Sequence, residues 1–356
     1  MTENSTENTG RKYTAFFALL YTAITCGDIF AYMNGLYNSS FSAAFVAGIA
    51  VPFATMLAYY LMLMSLGRKA YNGAIAILAP TLFCCISGYL LNDRTGLYES
   101  LFSFLVPTIA SVTVYIISKH NGSVSSRCAG AAFVQFIISA ARICALVAIT
   151  AYSSKMRFST VVFDGINGFV NEFISVYRQA LDSASALYPG ADTAMLNASA
   201  EHFEEMLIST VTLTPAIICA VMFFEIYIFT KVANYAARLA GLTDTREKFE
   251  VSSVTNVIFH ICVVLLMLSL LFESETSGFT FGVMSILIFL LPNFLILGAR
   301  RIFKKLTGVM SRAAGVVLMV FILFAGLMFS PYLLILIVTF FGTSEYRASK
   351  NTSSVG

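Results

Sequence analysis

The chain has 356 residues, of which 58% are hydrophobic and 12% charged, with a formal net charge of +3 and a mean hydropathy of +0.80. A soluble domain averages about 45–50% apolar and about 25% charged residues, so too little polar material remains to cover a water-facing surface, and lipid must be the solvent for much of this chain. The small net charge, with no basic run interleaved with aromatics, gives no basis for a nucleic-acid partner.

The first segment, MTENSTENTGRK (1–12), is polar. The apolar run 13–33 that follows is too long for a secretory signal core and lacks a small-residue cleavage site, so it reads as a retained helix. A span needs about 20 mainly apolar residues, and eight further runs qualify: 41–66, 70–91, 97–118, 128–152, 207–229, 254–272, 279–297 and 314–341. The last is interrupted by Pro331 and reads either as one kinked helix or as a short hairpin. The expected fold class is therefore an all-α polytopic transmembrane bundle of about nine spans, within a range of 8–10. The corresponding organisation is a cytoplasmic tail (1–12), a five-span bundle (13–152), an extracytoplasmic amphipathic segment (153–206), a bundle of four or five spans (207–341) and a polar tail (342–356).

Orientation follows from basic residues in the short loops. With the N-terminus inside, the inner segments carry Arg11, Lys12, Arg68, Lys69, Lys119, Arg127, Lys231, Arg238, Arg246, Lys248, Arg300, Arg301, Lys304, Lys305 and Arg312. The outer loops carry Arg94, Lys155, Arg157 and Arg178. The bias places the N-terminus in the cytoplasm. Arg347 and Lys350 in the tail favour the hairpin reading of the last run, which leaves the side of the C-terminus open.

Six of the seven prolines (Pro52, Pro80, Pro107, Pro215, Pro292 and Pro331) fall within these runs and are expected to interrupt spans, through ordinary bundle packing or as transport hinges. The seven cysteines lie in or beside apolar stretches without CxxC spacing, which reads as packing rather than a disulfide framework or metal site.

Residues 153–206 form the one long stretch between spans, and it is acidic. Ile166, Phe169, Val170, Phe173, Tyr177, Leu181 and Ala184 recur at helical spacing, making an amphipathic helix that ends at Tyr188-Pro189-Gly190. It lies along the membrane surface or caps the bundle as a lid. Asp192 then caps a second helix that runs into the sixth span. His202 with Glu204 and Glu205 lacks the HExxH spacing of a zinc site.

Polar residues at membrane depth are the candidate functional groups. Arg142 sits midway along the fifth span, where a basic side chain costs about 2.5–3.5 kcal/mol to insert. It reads either as a substrate anchor or as half of a structural ion pair with Asp28 or Glu225. His260, one helical turn after Asn256, reads as a proton-linked or substrate group, or as a packed histidine bonded to a neighbouring carbonyl. Small residues recur along the first span at Thr14, Ala18, Thr22 and Cys26, a face for close helix packing or for a partner helix. The P-loop, GxSxG and HExxH patterns are missing, so no enzymatic activity and no cofactor are expected.

Three stretches carry a family resemblance: the NEFISVYRQALD helix, the segment TPAIICAVMFFEIYIFTKVANYAARLAGL, and the terminal LLILIVTFFGTSEYR with Glu345-Tyr346-Arg347. In these the chain resembles the YybS-like membrane proteins of Firmicutes, although the Gly-x-x-Asp that precedes the terminal element in that family has no counterpart here. The family's role is not established, and its N-terminal helices look similar to the S-components of energy-coupling-factor vitamin transporters. The resemblance implies a bacterial plasma membrane as the location, and a small-residue docking strip on the first helix, at Ala15, Ala18, Thr22 and Ala23, for a coupling membrane subunit. Two functions follow: a transport component that binds a small solute, or a non-transporting scaffold for another membrane protein.

Overall fold

The computed structural model describes residues 3–36, 46–67, 72–91, 94–120, 122–187, 193–243, 249–272, 278–329 and 331–353. The described elements are helical: α1 (Glu3–Met33), a π-helical turn (Val46–Ala50), α2 (Val51–Leu66), the short α3 (Gly73–Ala76), α4 (Leu78–Leu91), α5 (Arg94–Lys119), α6 (Val124–Ser154), α7 (Phe158–Leu187), α8 (Thr193–Leu239), α9 (Ser253–Phe272), α10 (Gly278–Val309), α11 (Arg312–Phe329) and α12 (Pro331–Ser353). Among the described residues seven helices are long and apolar enough to cross a membrane, and shorter apolar stretches occupy Ser253–Ser269 and Ala313–Ile322. The chain is a multi-pass integral membrane protein.

The chain forms two compact units, one of Met1–Ile138, Cys219–Ile261 and Ile288–Gly356, the other of Ser139–Ile218 and Cys262–Leu287. In the first, α1 packs against α2 and α5, and α4 lies against α1 and α5. Phe17, Tyr21, Ala58, Tyr59, Leu61, Met62, Leu63 and Ala237 make one buried cluster, and Ile29, Cys84 and Phe104 another. Lipid is as apolar as these side chains, so burial gives little net drive, and packing with interhelical hydrogen bonds must hold the helices together. The bonds are present: Thr14 Oγ1 to Ser65 Oγ (2.9 Å), Tyr21 OH to Thr108 Oγ1 (2.9 Å), and Ser111 Oγ donating to the Met56 carbonyl (3.0 Å).

The last apolar run is two helices. Gly315 of α11 abuts Thr307 of α10, where an added Cβ would lie 2.9 Å from the threonine methyl. Val338 of α12 abuts Gly298, whose Cβ would overlap the Val338 carbonyl. An unbroken helix would separate Gly315 from Val338 by roughly 35 Å at 1.5 Å per residue, whereas Thr307 and Gly298 stand only about 14 Å apart on α10. The chain therefore reverses between α11 and α12. The ion pairs of Glu345 with Arg301 (3.7 Å) and Lys304 (3.8 Å) show that α12 runs parallel to α10. A Cβ on Gly342 would likewise overlap the Phe294 carbonyl, so two glycines let the backbones of α10 and α12 touch.

The six prolines expected to interrupt spans divide in two: Pro107, Pro215 and Pro292 lie inside unbroken helices, whereas at Pro52, Pro80 and Pro331 the apolar run breaks and a new helix begins. These last three fall in first turns. There the missing N–H has no intrahelical partner to lose and the fixed φ suits helix entry.

In the second unit α7 is the expected amphipathic helix, with Val170 and Ile174 buried. Phe163, Ile166, Phe173 and Val176 on the same helix are exposed, at 64%, 40%, 50% and 61%. Its apolar surface is therefore wider than the chain itself covers. Tyr188-Pro189-Gly190 and the Asp192 cap lie outside the described residues. From Thr193 a single helix of 47 residues continues through the sixth apolar run, with Pro215 inside it. The hydroxyls of Ser269 and Thr280 bond each other between α9 and α10.

Gly298→Ala or Gly342→Ala must push α10 and α12 apart and is expected to cost about 1–3 kcal/mol or more, as overpacking does. Gly282→Ala, with nothing within 4 Å of its Cβ, should leave stability unchanged or raise it slightly. Thermal unfolding of the three purified variants in detergent checks this ordering.

Candidate functional site

Helices in hydrocarbon satisfy their own backbones, so the polar side chains at membrane depth mark where something else is being held. Asp28 lies on α1, 8% exposed, and accepts a hydrogen bond from Ser103 Oγ of α5 at 3.1 Å. It belongs to a polar seam. Tyr21, Thr25 and Asp28, at i, i+4 and i+7, share one face of α1. Tyr21 meets Thr108, and Thr25 donates to the Tyr21 carbonyl at 2.8 Å. The sequence singles out Asp28 alone; the readable signal was the helical spacing of the two residues before it.

Glu225 projects from α8 towards Gln135 of α6, whose Nε2 donates to Glu225 Oε2 at 3.5 Å. Gln135 is 7% exposed, and its Oε1 is buried with no hydrogen-bond partner. A half-buried carboxylate beside a buried amide with a spare acceptor is an unfinished polar site. Gln135 opens the same apolar stretch as Arg142 but was not recognised from sequence, because a neutral amide carries no charge penalty to draw notice.

His260 Nδ1 lies 2.8 Å from the Asn256 carbonyl on α9. A carbonyl can only accept, so Nδ1 is the donor. This is the bonded-to-carbonyl arrangement that the spacing allowed. Asn256 Oδ1 is a second buried acceptor with no partner.

Arg142 is partly exposed and belongs to the second unit, whereas Asp28 and Glu225 belong to the first. Of the strip on α1, Ala18 packs against the buried cluster and Thr22 Oγ1 bonds the Ala18 carbonyl (2.9 Å). Ala15 and Ala23 are exposed.

Three further features escaped sequence reading. Ser125 donates to Asn293 Oδ1 at 2.6 Å, joining α6 to α10 in a buried bond between residues 168 apart. Arg127, assigned from sequence to an inner loop, is only 5% exposed. Glu345 of the terminal Glu-Tyr-Arg element is tied to Arg301 and Lys304, with Tyr346 buried at 8%. Among the described residues no three His, Cys, Asp or Glu side chains gather as a metal site. No protein-family model, curated protein or solved structure matches the chain.

Ser125→Ala leaves the Asn293 carbonyl oxygen buried without its donor and is expected to cost about 1–2 kcal/mol. Adding Asn293→Leu removes the stranded group and should recover part of that loss. Unfolding of the two single variants and the double variant in detergent measures the coupling.

Proposed function

We propose that the chain is a plasma-membrane transport component that binds a small polar solute within its helical bundle, and that it is not an enzyme. One observation carries the reading: Glu225 and Gln135 present a carboxylate and an unpartnered amide oxygen, both acceptors, at membrane depth. Such a pair suits a solute bearing an ammonium group or N–H donors, because those donors would satisfy both groups at once. The resemblance to YybS-like proteins, and through them to S-components, is consistent with this. With no P-loop in the sequence, coupling would come from an ion gradient or from a separate ATPase reached through a coupling membrane subunit.

The proposed topology has the N-terminus inside, ten crossings and the C-terminus inside. Its support is the basic-residue bias of the loops together with the parallel course of α10 and α12, which puts Glu345 beside the basic end of α10. In this topology α7 lies on the outer side, with Phe163 and Val176 facing the membrane interface.

A non-transporting scaffold is the second reading, favoured by the face of α1 that carries Ala15, Leu19 and Ala23. Leu19 there is 71% exposed.

Single cysteines at 175 and 350 in a cysteine-free background test the topology. A membrane-impermeant thiol reagent added to intact cells should label 175 and leave 350 unlabelled until the cells are opened. The solute reading predicts that some amine-bearing compound raises the unfolding temperature of the purified protein; stabilisation of about 2.7 kcal/mol is expected at a hundred times Kd. Glu225→Gln and Gln135→Leu should each abolish that shift while remaining folded. A broad amine screen with no shift, together with unchanged uptake in a deletion strain, would leave the scaffold reading in its place.

A further inference from the structure

A cavity of about 710 Å³ lies in the first unit among α8, α10, α11 and α12. That size falls within the roughly 300–1,000 Å³ range of small-molecule sites. Its walls are aliphatic and aromatic, including Phe224, Ala299, Met319 and Val338. Ile228 and Ile335 line it too and are 55% and 37% exposed, so the cavity opens towards the surroundings of the helices. Apart from Tyr227 and Arg300, the lining side chains offer a solute no hydrogen-bonding group.

One lining residue breaks the pattern. Arg300 is the single charged group among the lining residues. It stands where the apolar run of α10 gives way to Arg301, Lys304 and Lys305, which is the position of a membrane–water interface. Its two nearest basic neighbours on the helix have a carboxylate, since Arg301 and Lys304 both pair with Glu345. Arg300 is exposed and enters no ion pair among the described residues. A second cation is close by: Lys231 Nζ sits 5.6 Å from the ring centroid of Tyr227, another lining residue. The site therefore has an acyl-compatible interior with cationic groups at its polar end. Basic pockets between spans on the positive side of a membrane are suited to anionic headgroups.

We propose that this cavity is a binding site for an anionic phospholipid, with an acyl chain between α8, α10, α11 and α12 and the headgroup phosphate on Arg300. The lipid would fill the space behind the α11–α12 reversal and brace that hairpin against α8. Glu225 and Gln135 are not among the lining residues, and the proposal does not depend on that pair. Guanidinium and phosphate form charge-assisted, often bidentate hydrogen bonds, which a zwitterionic headgroup satisfies less well because its own cation competes.

Native mass spectrometry of the delipidated full-length protein tests the proposal, with dioleoyl phosphatidylglycerol and dioleoyl phosphatidylcholine added separately. Wild type should take up one phosphatidylglycerol with a preference of about tenfold over phosphatidylcholine. Arg300→Gln should remove that preference, while Lys305→Gln, a charge loss outside the cavity, should keep it. Ala299→Trp fills the cavity and should weaken binding of both lipids; Ile335→Trp does the same from α12 and covers the case in which the first variant does not fold. Equal binding of the two lipids by wild type would overturn the proposal. So would a preference that survives Arg300→Gln, or binding untouched by a folded cavity-filling variant. If dihexanoyl phosphatidylglycerol or inorganic phosphate competes as well as the long-chain lipid, the acyl site is refuted, because the charge alone would then account for binding.

Discussion

Hydrocarbon offers no hydrogen-bond partner, and every polar group placed in it must find one inside the protein or carry the cost of lacking it. The helices meet this requirement for their backbones. For side chains the requirement is met between helices, and the result is a set of specific bonds that fix which helix lies beside which. Tyr21 with Thr108, Asp28 with Ser103, and Ser111 with the Met56 carbonyl tie α1, α2 and α5 together. Ser125 with Asn293 does the same for α6 and α10. Because lipid and leucine are equally apolar, such bonds and close backbone approach choose the neighbours that hydrophobic burial leaves undetermined.

Against this background the incompletely satisfied groups stand out. Among the described residues Gln135 Oε1 and Asn256 Oδ1 are buried amide acceptors with no partner, and the hydroxyls of Ser100 and Thr339 are likewise buried without one. The first belongs to an amide that reaches a carboxylate, Gln135 Nε2 to Glu225. That pair gives the solute-binding reading a physical basis. The apolar cavity under Arg300 has the opposite character, with a greasy wall and a cation at the rim. The two regions differ in chemistry, a pair of polar acceptors in one and an apolar wall with a cation in the other.

The amphipathic segment shows how far periodicity carries. The spacing of Ile166, Val170, Phe173 and Tyr177 identified a helix, and α7 is that helix. Spacing did not say which apolar residues the protein itself would cover: Val170 and Ile174 are buried while Phe173 is half exposed. The prolines teach a related lesson. Composition alone treats all six prolines in spans alike, yet Pro52, Pro80 and Pro331 stand where one helix gives way to the next while Pro107, Pro215 and Pro292 are carried inside unbroken helices, since the effect of a proline depends on how many turns precede it.

Hydropathy was sufficient to identify a helical, multi-pass membrane chain, the positions of most apolar helices and the amphipathic helix, because those features depend on local composition summed over about 20 residues. The reversal between α11 and α12, the glycine contact of α10 with α12, the Gln135–Glu225 pair and the cavity at Arg300 were decided only by tertiary structure. Each joins residues far apart in the chain. A glycine, an amide or a short break at a proline carries no periodic signal of its own; its meaning comes from the helix that happens to lie against it.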